Sequence, residues 1–232
     1  MKSITTYINE KMVYNSQTIY KVTPTSKEEL IKIIRKEFEN KNYDLTFIDT
    51  SKITDMSSVF VDIDKYTKDW DIELNISTWN TSNVTDISNL FSNVRKISKI
   101  DLTNWDVSNV KYMSSTFSVT NLKQVGDLSK WKLHNCKDIG AMFYMCSELE
   151  SIGDISNWNV SKVIDTDFFL SGCHKIKSIG DISKWNVIRV NDFTEMFSNC
   201  HELKLDLRKF IKNVPEKYVD DIAKNSKNII VK

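Results

Sequence analysis

Aspartate recurs at one register along the chain: Asp101, Asp127, Asp154, Asp181 and Asp206. Stacked carboxylates repel, so each needs a donor or a shared cation. A calcium ladder is one chemistry such a column offers. The other is an Asx turn, in which each carboxylate accepts from the backbone N–H two residues on, at Thr103, Ser129, Ser156 and Ser183. One carboxylate per repeat supplies too few oxygens for calcium, and the glycine-aspartate spacing of calcium repeats is absent. The turn is therefore expected. Cysteine gives a second register, Cys146, Cys173 and Cys200, while Cys136 stands where other copies carry valine. Free cysteine is by habit a small buried hydrophobe. Neighbouring copies would bring these thiols near disulfide distance, and a reducing compartment would keep them as thiols. The pairs Cys173-His174 and Cys200-His201 suggest a metal site. Neighbours in an extended segment point opposite ways, however, so sulfur and imidazole would not converge on zinc. His134 falls at a helix-cap position, and three scattered histidines supply no nucleophile–base pair. No catalytic residue, metal or cofactor is expected.

Tryptophan gives the clearest register. Trp79, Trp105, Trp131, Trp158 and Trp185 are separated by 26, 26, 27 and 27 residues. Such a row could be an aromatic platform for glycans or a core stack. Polar residues flank every copy, so each ring points alone into an apolar interior, and exposing the row would be costly. Buried, each ring removes about 150–250 Å² from water, several kcal/mol at roughly 25 cal/mol per Å². Two polar columns complete the inventory. One reads Ser98, Lys123, Glu150, Lys177, Lys204, and its neighbour reads Lys99, Gln124, Ser151, Ser178. Surface charge is most often plain solvation, yet a repeat protein binds partners on such a face. The binding candidates are Lys99, Lys123, Gln124, Glu150, Lys177 and Lys204, together with Tyr66 and Trp70 in a polar insertion at 61–74.

A fixed period of this length signals a solenoid, in which each unit buries its apolar face against the next. Counting from each tryptophan, apolar residues fall at offsets of five, eight, eleven and twelve, as in Val163, Phe169 and Leu170 after Trp158. That is the spacing of one helical face, opened by Ser82, Ser108, His134 or Ser161. A short helix is expected in every unit. Aliphatic pairs such as Leu149/Ile152 and Ile176/Ile179 then predict a short strand, pairing in parallel between units. The first unit is degenerate: Ile48 takes the tryptophan position, Phe60 matches Phe91, and the insertion lengthens the interval to 31 residues. The fold class expected is an α/β repeat, a right-handed leucine-rich-repeat-like solenoid with short parallel strands, short helices and terminal caps. Residues 1–45 form the N-terminal cap, 46–207 about six repeats, and 208–232 the C-terminal cap. Within the first cap, runs in residues 1–24 suggest a hairpin. Ser26 and Glu29 make a capping box for an amphipathic helix over 26–40. Pro215 marks a helix start in the second cap.

Composition narrows the function classes. Hydrophobic residues are 41% and charged residues 27%, which suits a folded domain rather than a disordered chain. Lys+Arg is 32 against Asp+Glu 31, so no basic surface for duplex nucleic acid is expected. Only 5 Gly and 2 Pro are present, leaving Asp, Asn, Ser and Thr to make the turns. No apolar run is long enough to span a membrane. The N-terminal residues lack a secretory signal, which points to the cytoplasm.

The segments DLTNWDVSNVKYMSSTF (101–117) and DISNWNVSKVIDTDFFLSGC (154–173) resemble the bacterial surface-protein repeat of about 26 residues, a family of unknown function grouped with BspA-like leucine-rich repeats. The elements Cys146-Leu149-Ile152 and Cys173-Ile176-Ile179 carry the BspA-like part. The resemblance covers roughly residues 20–210. It implies a right-handed solenoid on bacterial surfaces, used for adhesion or protein binding, without catalysis. The expected function is a non-enzymatic binding module recognising a protein or glycan. A cytoplasmic inhibitor or immunity-type partner is the alternative. A solenoid carbohydrate-active enzyme is disfavoured, because the strand-face columns hold Lys, Ser and Gln rather than acidic pairs.

Overall fold

The computed structural model describes residues 21–232. The hairpin expected within residues 1–24 lies outside them but for its last residues, of which Val22 pairs in parallel with Ile48. Helix α1 (Lys27–Glu39) begins where Ser26 Oγ accepts from the Glu29 N–H at 3.2 Å. The Glu29 carboxylate reaches the Thr25 N–H (2.8 Å) instead of closing the reciprocal bond to Ser26. Leu30, Ile33, Ile34 and Phe38 form its buried face, covering the first repeat.

From there the chain advances by parallel pairing between successive repeats. One ladder runs Asp55, Asp86, Tyr112, Asp138, Asp165, Asp192. A second runs Lys99, Gln124, Ser151, continuing the pairing of β1 (Ile72–Glu73) with β2 (Ile97–Lys99). Between these ends most expected strands are single bridges, too short to count as strands. Strands β3 (Leu205–Asp206) and β4 (Ile229–Ile230) close the far end, also in parallel.

The expected short helices are absent from the repeats. Each such segment is a run of turns instead, because two residues per repeat adopt positive φ. They lie ten and fourteen residues after the tryptophan: Asn89 and Asn93, Ser115 and Val119, Ala141 and Met145, Phe168 and Gly172, Glu195 and Asn199. Hydrogen bonding alternates with this backbone. The N–H groups of Ile87, Asn89, Phe91 and Asn93 donate to Tyr112, Ser114, Thr116 and Ser118 in the next repeat. Those of Leu90, Ser92 and Val94 close i→i−3 turns on Ile87, Asn89 and Phe91. Every second amide that a helix would keep is thus given to the neighbouring coil. A left-handed residue other than glycine costs about 1–2 kcal/mol, which the inter-coil bonds must offset.

The interior is two aromatic columns. Trp79–Trp105, Trp131–Trp158 and Trp158–Trp185 stack with centroids 6.3, 6.4 and 6.3 Å apart. Phe60, Phe91, Phe117 and Phe143 stack alongside at 4.6, 5.9 and 5.1 Å. The indole N–H of Trp131, Trp158 and Trp185 donates to Leu102, Leu128 and Ile155, each three residues before the preceding tryptophan. Trp79 donates to Leu45, three residues before Ile48, and Ser58 and Asp62 have positive φ at the matching offsets. Ile48 therefore holds the tryptophan register of the degenerate repeat. Trp105 breaks the pattern, since its buried indole N–H has no partner.

The segment expected as a C-terminal cap continues the stack. Phe197 N donates to Ile222 O, Asn199 N to Lys224 O, and Asn225 has positive φ. Ser226 Oγ donates to Phe197 O at 2.7 Å, as the cysteines do in earlier coils. Helix α2 is short (Glu216–Val219) and follows Pro215 directly. Among the described residues no helix is long and apolar enough to cross a membrane.

Candidate functional site

The aspartate register makes Asx turns. Asp101, Asp127, Asp154 and Asp181 accept from Thr103, Ser129, Ser156 and Ser183 N–H at 2.9–3.0 Å. Hydrogen bonding from Thr103 holds Asp101 below the usual carboxylate range, and the Ser156 and Ser183 amides do the same for Asp154 and Asp181. Asp206 falls furthest, to about 2, under the Arg208 guanidinium. Among the described residues no three His, Cys, Asp or Glu side chains converge on a metal-sized site.

All four cysteines are free and buried. Cys146, Cys173 and Cys200 donate to Phe117, Phe143 and Leu170 carbonyls at 2.9, 3.0 and 3.2 Å. Burial pushes the Cys136 and Cys200 thiols up to about 12, which leaves little thiolate for chemistry. His174 and His201 stack at 4.5 Å and 10° on the opposite side of the backbone. Lone pairs in such parallel planes do not meet at one metal.

The strand-face candidates divide. Lys99, Gln124 and Glu150 line one open groove of about 490 Å³ with Asp101, Asp127 and Asp154. Sequence reasoning placed those aspartates in turns and missed that the same residues border the strand face; their position just after each strand was the available signal. Lys123 lies beside the groove, its N–H bonded to Ser98 O and its carbonyl to Glu150 N. Lys177 and Lys204 pair further along.

The insertion is pinned to this face. A 3-10 turn, Ile63–Tyr66, opens it. Asp64 accepts from the Arg95 and Lys96 N–H groups at 2.8 and 3.2 Å. Lys96 Nζ donates to the Asp64 and Thr67 carbonyls. Tyr43 Oη reaches Thr67 and Asp69. Tyr66 packs against the core beneath Arg35, whose guanidinium lies 5.0 Å from its ring centre. Trp70 is 64% exposed, with Lys96 Nζ 5.5 Å from its ring centre. Asp71 then pairs with Lys123 at 3.0 Å and Glu73 with Lys99 at 3.3 Å. Trp70 is thus presented on the side of Lys96 and Lys123, next to the groove, while Tyr66 packs inward against the core.

The other parallel ladder gathers Asp138, Asp165 and Asp192 with Asp167. Gly140 makes the gathering possible: a Cβ there would collide with Asp167 Oδ1. Burial first, then Asp165 and its neighbours, pushes the Asp167 carboxyl up to about 6. A carboxyl raised above its unfolded value stabilises the fold most below about pH 4, and that contribution is lost as pH rises through about 6. Asp167→Asn should therefore stabilise the protein at pH 7.5, by on the order of 1 kcal/mol after solvent screening, and do little at pH 4. Thermal melting of both proteins from pH 4 to 8 checks this. Parallel curves would refute it, and the difference between curves isolates Asp167 from the three histidines.

No curated protein and no solved structure matches the chain. One family model does, over residues 29–151 and again over 119–229. Together these matches span nearly all of the paired coils just described. The chain belongs to the family described as Mycoplasma protein of unknown function, DUF285.

Proposed function

We propose that this chain is a non-enzymatic binding module, a right-handed leucine-rich-repeat-like solenoid of the BspA type whose strand face recognises a protein or glycan. The observation that carries the reading is the presentation of Trp70. An insertion held by Asp64, Thr67 and Asp69 spends its hydrogen bonds keeping one large aromatic ring in water. Rings of this kind are frequent anchors of binding surfaces. The adjoining groove offers carboxylates, an amide and an ammonium, the planar and charged groups that bond to hydroxyls or peptide.

The test compares the wild-type chain with Trp70→Ala and Gln124→Ala. Each is applied to a glycan array and to cross-linking with mass spectrometry in native lysate. The expected result is one ligand or partner whose signal falls about tenfold or more in Trp70→Ala, with an unchanged melting temperature. A ligand held equally by all three proteins would place binding elsewhere.

A further inference from the structure

Positive φ is cheapest for glycine and is tolerated by asparagine. Asn89, Asn93, Gly172 and Asn199 obey this ten and fourteen residues after a tryptophan, and Ser115 and Glu195 keep polar side chains there. Four of the six such positions in the three middle coils carry apolar side chains instead. Val119, Ala141, Met145 and Phe168 hold φ of 58, 51, 57 and 50°. Valine, branched at Cβ, is among the residues least suited to this region. Packing does not compensate, because none of these side chains belongs to the buried core or is packed against it. Met145 is 45% exposed and the others are partly exposed.

Backbone bonds bring them together. Val119 N donates to Tyr144 O, Ala141 N to Asp167 O and Met145 N to Ser171 O, all at 2.7–2.8 Å. The Tyr144 ring meets Phe168 edge-on at 5.5 Å. The result is an apolar patch across three coils, bounded along the stack by Asn89 and Asn93 on one side and Glu195 and Asn199 on the other. Its third flank is the acidic ladder, since Asp167 directly precedes Phe168. Among the described residues, Asp138, Asp165, Asp167 and Asp192 make no ion pair, whereas Asp55, Asp69, Glu148 and Asp206 each have a cation within 3.1 Å.

We propose that this patch and its acidic flank dock a basic amphipathic segment of another protein. Apolar residues of that segment cover Val119, Tyr144, Met145 and Phe168, and its Lys or Arg side chains meet Asp138, Asp165, Asp167 and Asp192. Two independent violations of local preference converge here: backbone strain kept for side chains the core does not use, and like charges gathered with no cation among the described residues paired to any of them. A cationic apolar partner relieves both exposures at once. The surface shares no residue with the strand face and rests on none of its assignments.

The test is fluorescence anisotropy with a labelled Leu/Lys peptide of about 18 residues, patterned as an amphipathic helix. Controls replace every Lys with Glu, or every Leu with Ser. At about 0.15 M salt only the Leu/Lys peptide should bind saturably. The variant Val119→Asn, Met145→Asn, Phe168→Asn should weaken binding about tenfold or more, and Asp165→Asn with Asp167→Asn should flatten its salt dependence. Asparagine stands at these offsets in other coils, as Asn89, Asn93 and Asn199, so the triple variant should melt no lower than wild type. A lower melting temperature would make these side chains part of the fold and overturn the proposal. So would undiminished binding by the triple variant, or equal binding of either control peptide. Sedimentation with phosphatidylcholine vesicles, in place of peptide binding, would assign the patch to lipid and also overturn it.

Discussion

Trp158→Ala should lower stability by about 3–5 kcal/mol. Its ring lies between Trp131 and Trp185, at 6.4 and 6.3 Å, and meets Phe169 edge-on at 6.3 Å. The substitution removes both stacking partners' contact and leaves a void bounded by three rings. It also strips the Leu128 carbonyl of the indole donor at 2.9 Å, a bond worth about 1 kcal/mol net. In a stack where each coil leans only on its neighbours, a defect at one coil weakens two interfaces. Urea denaturation followed by circular dichroism measures the loss. The internal control is Trp70→Ala, at an exposed ring, which should stay within about 0.5 kcal/mol of wild type. Equal midpoints for Trp158→Ala and wild type would overturn the assignment of the tryptophan column to the core.

Gly126→Val should cost about 2–4 kcal/mol, from strained backbone and from overpacking. Gly126 has φ +86°, where a β-branched residue is strained whatever space surrounds it. Space is also lacking. A Cβ would collide with Asp101 Oδ1 and lie 2.7 Å from Thr103 Oγ1 and 3.0 Å from Leu102 N. None of these can move freely: Asp101 holds the Thr103 amide, and Thr103 Oγ1 accepts from Asp127 N at 2.9 Å. The clash therefore strikes two successive Asx turns that border the groove. Thermal melting should show the loss, and a Gly126→Asn variant should recover part of it, because asparagine tolerates positive φ. If valine and asparagine melt alike, backbone conformation is not what glycine supplies at this position.

Much of this molecule is legible in its residues. Inward positions were readable because a fixed repeat copies each apolar position onto the same place in the next coil. The Trp, Phe and Cys registers are all buried. The Asx turns were readable because they are local: a carboxylate and an amide two residues apart need no tertiary partner. The insertion was readable as a break in period. The short helices misread the same data for a physical reason. Successive i→i−3 turns and a helix both return to one face every three or four residues, so the apolar spacing of Val163, Thr166, Phe169 and Leu170 fits either.

Tertiary pairing decided between them. Amides such as Asn89 N–H and Phe91 N–H find carbonyls in the next coil, and that competition cannot be seen within one repeat. The same pairing moved the end of the stack past residue 207, since Ser226 takes the donor role of Cys200 under a different residue type. It also tied Trp70 to the strand face, through an Asp71–Lys123 contact across 52 residues. The period by itself determined which residues are interior and that neighbouring coils must stack. Only the folded chain decided where backbone strain, unpaired carboxylates and one exposed indole come to the surface, because those depend on which coil supplies each hydrogen-bond partner.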